Sequence, residues 1–265
     1  MTSSSNNLQP IYNLPILYKQ GGRVSVASNT TLSITAGLFR SSIDNFDINV
    51  GDYFGTASST TLNSANVGVL NGLDTGTLAA SKVYAVWAIA DQAGYNASGY
   101  LLSLSTTAPV MPQSAFPSGY NVMRRIGWAV TDASTHFTTL VVSGIGNTVY
   151  YTYDVPVKVL NAGTSSTQAA VDLSTVVPAV AGIPVNLNCD FVSDAASKKA
   201  TLCPSGGTIA SSRFILNAQV ASVHVIQNYE IPAVLVSSLP KVDYIISAAT
   251  STLDLYVAGF VDFVS

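Results

Sequence analysis

From Gly21 onward the chain is written in short apolar–polar alternations, and that pattern limits the fold more than any other feature. "RVSVAS" and "TLSITAG" alternate residue by residue, the period of a half-buried strand rather than of a helix. The same signature returns in "YLLSLS", "NVMRRIGWAVTD", "HFTTLVVSG", "TVYYTYDV", "IPVNLNCDFVS", "KKATLC", "RFILNAQVASVHVIQNYEI", "VDYIISAAT" and "LDLYVAGFVDF". Clusters of Gly, Pro, Asn, Asp and Ser separate these runs, as turns require. Regular short strands without a long helical period predict an all-β protein, a jelly-roll-like β-sandwich. "KVYAVWAIAD", Lys82 to Asp91, is apolar on both faces, which predicts a central strand covered on both sides. The one helical hint is "SSTQAAVDL", enough for a turn or two.

A length of 265 residues suits one large β domain or two smaller ones. Residues 1–20 predict an extended N-terminal arm, because Pro10 and Pro15 interrupt "IYNLPILYKQ". Residues 21–160 then form a first sandwich domain and 161–265 a second β-rich domain. That boundary rests on the composition shift at "NAGTSSTQ" (161–168); a single domain with a long surface loop is the alternative. No repeat of fixed period points to a solenoid or propeller.

Only 9% of residues are charged while 48% are hydrophobic. Disorder needs the opposite balance. So little charge leaves a surface poorly insulated from its neighbours, and predicts a chain that buries surface against other subunits. A net charge of −3, with Arg124-Arg125 and Lys198-Lys199 as the basic doublets, gives no phosphate-tracking stripe for nucleic acid. The most apolar window, Val176 to Leu187, is broken by Pro178 and Pro184 and is too short to span a bilayer. "MTSSSNNLQP" lacks the basic and apolar regions of a secretory signal, which predicts synthesis in the cytoplasm. Cys189 and Cys203 read as free thiols rather than as a bridge.

Residues for chemistry are sparse. Thirteen aspartates accompany a single glutamate, Glu230. Asp44, Asp47 and Asp52 in "DNFDINVGD" read as turn and loop residues, although a polysaccharide-cleaving pair could be assembled from distant strands. His136 and His224 stand apart, without metal-ligand spacing. No Gly-x-Ser-x-Gly elbow occurs, and the sequons at Asn29 and Asn96 carry no export context. The expectation is no catalytic, metal or cofactor residue, and no enzyme. Tyr95 and Tyr100 flank "NASG" and are the candidates for stacking on a host glycan; the alternative is that they cover the sandwich edge. "YYTY", Tyr150 to Tyr153, alternates faces and so could serve a core and an interface together.

The remaining feature is the arginine pair after a proline-studded loop. Strand alternation places Val122, Arg124, Ile126 and Trp128 on one face, and Met123, Arg125 and Gly127 on the other. One guanidinium then has apolar company and needs partners. Gly127 suggests a bulge, and Gly119 in "PSGY" suits a positive φ. Gly119, Arg124, Arg125, Gly127 and Trp128 are therefore structural candidates; the alternative makes the two arginines an anion or sugar-acid site, which no Gly-rich cradle or second basic cluster accompanies. The block "GLDTGTLAASKVYAVWAIAD", followed by "TAPVMP" and "PSGYNVMRRIGW", resembles β-rich virion proteins of tailed bacteriophages, of the tail fibre, tail appendage or head decoration kind. The likeness covers residues 66–132 well and the closing strand loosely; "VMPQSAF" is an insertion relative to it. It implies a non-enzymatic virion protein, a homotrimer, with the arm docking on another virion protein. A host-glycan receptor-binding module and a polysaccharide depolymerase are the alternatives.

Overall fold

The computed structural model describes residues 18–112, 119–145, 148–208 and 214–263. The expected arm lies, up to residue 17, outside them. The described residues form two compact units that divide between Val149 and Tyr150. Both are all-β, of sandwich type.

The first unit contains β1 (Lys19–Gly21), β2 (Val24–Ser28), β3 (Thr31–Ile34), β4 (Gly37–Arg40), β5 (Asp47–Val50), β6 (Thr60–Asn63), β7 (Gly72–Leu73), β8 (Val83–Ala90), β9 (Gly99–Ser103), β10 (Val122–Val130) and β11 (Leu140–Ile145). Three sheets result, ordered β1-β4-β5, β2-β3-β6 and β10-β8-β9-β7. One core unites them: Leu32, Ile34, Phe39, Ile48 and Leu62 from the smaller sheets meet Tyr84, Val86, Ala88, Leu102, Val122 and Ile126 from the larger. Each Leu, Ile, Val or Phe of this set removed from water stabilises the fold by about 1.5–3 kcal/mol. On β8 the alternate residues Ala85, Trp87 and Ile89 are buried too, as the double-faced apolar run predicted. The end of the expected arm is itself a strand: Lys19, Gln20 and Gly21 pair with Phe39, Leu38 and Gly37.

Strict alternation fails in β10. Arg125 opposes Trp87 and Gly127 opposes Val86, so Ile126 is an extra residue. Two residues facing one is a β-bulge, and it resets the phase of every residue after it. Trp128 therefore lies on the face of Arg125, not on that of Arg124. The guanidinium of Arg125 sits 4.6 Å from the Trp128 ring centroid. Lys19 Nζ donates to the Ile126 carbonyl, which ties β1 to the bulge.

The second unit takes in nearly all of β12 (Thr148–Gly163), then β13 (Ala169–Asp172), β14 (Pro184–Val192), β15 (Lys199–Pro204), β16 (Phe214–Asn217), β17 (His224–Pro232), β18 (Val234–Val236), β19 (Leu239–Ile246) and β20 (Thr252–Phe263). β12 continues through Asn161, where composition shifts. "SSTQAAVDL" contributes no helix: Ala169–Asp172 is a strand paired with β19, because Ala169 and Val171 cover the Tyr244 and Val242 they oppose. One sheet runs β12-β20-β14-β17 and the other β13-β19-β15-β16, with β18 also on β19.

The strand β14 alternates without a break. Val185, Leu187, Cys189 and Phe191 are buried, whereas Asn186, Asn188 and Asp190 are half-exposed. Its neighbour β20 carries a bulge at Ala258, since Asn186 opposes Gly259 while Leu187 opposes Val257. The bulge turns Phe260 inward, where it stacks on Tyr151 at 4.8 Å and 13°. Gly259 permits this: a Cβ there would lie 2.3 Å from the Tyr151 carbonyl oxygen. Pro184 opposes Pro232 at the end of the β14–β17 ladder, where neither owes a ladder hydrogen bond.

Candidate functional site

The arginine block falls on β10 and the loop before it. Arg124 is 2% exposed, opposes Ala88 and interacts within the fold. Gly119 has φ +55°, the left-handed conformation expected of it. The aspartate cluster divides. Asp44 (φ +57°) and Asp52 (φ +51°) sit in turns, as aspartate tolerates. Asp47, expected in a loop, is instead a buried residue of β5. Its carboxylate accepts from Arg40 at 2.9 Å, and Asp44 accepts from the same guanidinium at 2.7 Å. Those two hydrogen bonds, Asp47 first, push the Arg40 pKa up and make this a structural clamp.

The tyrosine pair separates as well. Tyr95 is 65% exposed. Tyr100 is not on a loop: it is fully buried in β9, its hydroxyl donates to the Thr35 carbonyl at 3.0 Å, and its ring meets Phe39 edge-on. Burial pushes its phenol pKa well up. It cannot stack on a sugar. The two thiols are free and buried; burial pushes Cys189 up to about 12. The histidines are each beside an aspartate. His136 Nδ1 lies 3.9 Å from Asp132, and His224 Nδ1 is 2.9 Å from both oxygens of Asp190.

The described residues converge most on the outward face of β12-β20-β14-β17. Lys158 Nζ donates to Asp254 at 2.8 Å and to Asn161 at 3.1 Å, and lies 5.0 Å from the Tyr256 ring centroid. Burial raises the Asp254 pKa, but the Ala162 N–H and the Lys158 cation outweigh it, so the carboxyl stays below its usual range. Asp254 directly opposes Asp190. Like charges facing across a ladder repel; here the Lys158 cation screens Asp254, and His224 Nδ1 lies 2.9 Å from Asp190.

Beside this row lies an open depression of about 640 Å³, solvent included, lined by Val155, Pro156, Asn188, Asp190, Ile226 and Tyr256. Val155 is 74% exposed and Ile226 67%. The surface therefore offers apolar contact, an aromatic ring, an amide and the Lys158–Asp254 ion pair. No group of three potential metal ligands occurs among the described residues. No helix there is long and apolar enough to cross a membrane.

Sequence reasoning did not assemble this face. Lys158 and Asp254 are 96 positions apart, and only strand order joins them. The signal present was the polar half of "NLNCD", which marks one side of β14 as outward.

Fold and surface together define an all-β, sandwich-type protein. No family model matches the chain, and no curated protein does. Weak likenesses exist among solved structures. One is a mutant of a family 29 carbohydrate-binding module complexed with cellulohexaose, 12% identical, covering 46% of this chain and 74% of that one at a TM-score of 0.19. Another is a tryptic core variant of Cry1Da from Bacillus thuringiensis, 8% identical, covering 96% and 56% at 0.22. A third is infectious bursal disease virus, Gx strain, 9% identical, covering 72% and 58% at 0.20. Scores this low carry no argument about function.

Proposed function

We propose that this is a non-enzymatic structural protein that assembles with copies of itself and docks on other components of a larger particle, a tailed-phage virion by the resemblance of residues 66–132. The observation that supports it is the poverty of charge combined with large apolar groups left in water. Ile43, Tyr95, Val155 and Ile226 are each 65% exposed or more, in a chain with 9% charged residues. Single exposed apolar residues are ordinary in a soluble protein, but several large ones in so charge-poor a chain fit a surface that is covered on assembly. The test is mass by light scattering across about a hundred-fold concentration range. An oligomer is expected, three copies by the resemblance; a monomer throughout would overturn self-assembly.

The second reading is a glycan-binding module. It is supported by the depression beside Tyr256, where an aromatic ring, the Asn188 amide and the Asp190 carboxylate come together, the kinds of group that hold sugars. Tyr256→Ala is then expected to abolish adsorption to host cells. Adsorption unchanged in that variant removes this site.

A further inference from the structure

We infer that β17 is a self-pairing edge, through which a second copy of this chain continues the sheet across a two-fold axis. The inference rests on the self-assembly just proposed and names the surface that carries it. Among the described residues β17 pairs with β14 alone. It is nine residues long, while the terminal strands of the facing sheet, β13 and β16, have four each.

Long edges are templates for another chain unless lysines, prolines or bulges protect them. "HVIQNYEIP" carries no lysine, no proline before its last residue and no register shift against β14. Ile226 on its outward side is 67% exposed, and Val223 just before it 51%.

Charge and register select the occupant. A two-fold axis normal to the sheet sets one residue opposite its own copy and keeps outward side chains with outward ones. Centred on Gln227, antiparallel pairing puts His224 of each copy opposite Glu230 of the other, Val225 opposite Tyr229 and Ile226 opposite Asn228. His224 uses Nδ1 on Asp190, so Nε2 is the atom directed to the second copy's Glu230. Centring on Asn228 instead would oppose Ile226 to Glu230 and His224 to Pro232, losing both His224–Glu230 contacts. The edge is thus complementary to itself in one register. An isologous contact of this kind closes at two copies, not at the three that the phage resemblance implies.

The test uses the whole chain. Gln227→Cys, made together with Cys189→Ala because Cys189 lies directly opposite position 227 on β14, places one thiol beside its own copy at the axis, within disulfide reach. Mild oxidation is expected to give a covalent dimer, whereas Asn186→Cys on the interior strand β14 is expected to give none. Glu230→Lys and Ile226→Lys, both at exposed positions, are each expected to weaken association about tenfold, because each contact occurs twice. Circular dichroism and melting identify any variant that fails to fold, and the cysteine variant then decides. An oligomer that forms without the Gln227→Cys cross-link, or that both lysine variants leave intact, overturns this interface while self-assembly stands. A wild-type monomer removes both, and mass alone shows it.

Discussion

At the residue scale, the groups most open to test are buried polar ones rather than catalytic ones. Asp243 on β19 is 6% exposed, yet its carboxylate accepts from Ser205 and Gln168 at 2.6 Å and from the Gly206 N–H at 3.1 Å. Burial raises its pKa, and these donors more than reverse that, holding the carboxyl below its usual range. A folded pKa below the unfolded one stabilises above the unfolded value, near pH 4, and that contribution disappears as pH falls through the folded value. Asp243→Asn is expected to cost about 2–3 kcal/mol at neutral pH. The gap from wild type should close below about pH 4 in chemical denaturation. A gap independent of pH would show that the ionised form is not what matters. The tyrosine pair makes the same point about burial: spacing in "YNASGY" places both rings near a loop, but only the pairing of β9 between β8 and β7 shows that Tyr100 belongs to the core.

At the element scale, bulges decide which side chain faces where. Gly259→Ala forces a Cβ to within 2.3 Å of the Tyr151 carbonyl, so β20 must part from β12 and the Tyr151–Phe260 stack loosens. Overpacking of this sort is expected to lower stability by about 1–3 kcal/mol, read from urea unfolding; an unchanged midpoint would refute the close approach. Alternation made most strands legible, β10, β14 and β20 among them, because a period of two survives in sequence wherever one face is buried. A bulge is one residue out of phase, and it moved Trp128 to the other arginine although Gly127 had flagged the spot. Short strands such as β5 were missed, since four residues between turn formers carry little period. "SSTQAAVDL" misled because its alanines suit a helix, while Val171 and Ala169 find their partners only across a sheet. The ionic row on the outward face was legible one residue at a time and never as a row.

At the scale of the molecule, the two units are sandwiches with enough buried side chains to be stable, and surface composition sets their behaviour. Binding that favours the folded state raises its apparent stability by mass action. The melting midpoint is therefore expected to rise with protein concentration. A midpoint that does not move over a wide range would mean that folding and association are independent.

Cys189 and Cys203, both enclosed and unbridged, bear on where such a molecule can work. A fold that owes nothing to sulfur–sulfur links has the same covalent skeleton inside a reducing cell and in the air-exposed medium outside it. Moving it from the one to the other asks for no bond to form at either cysteine.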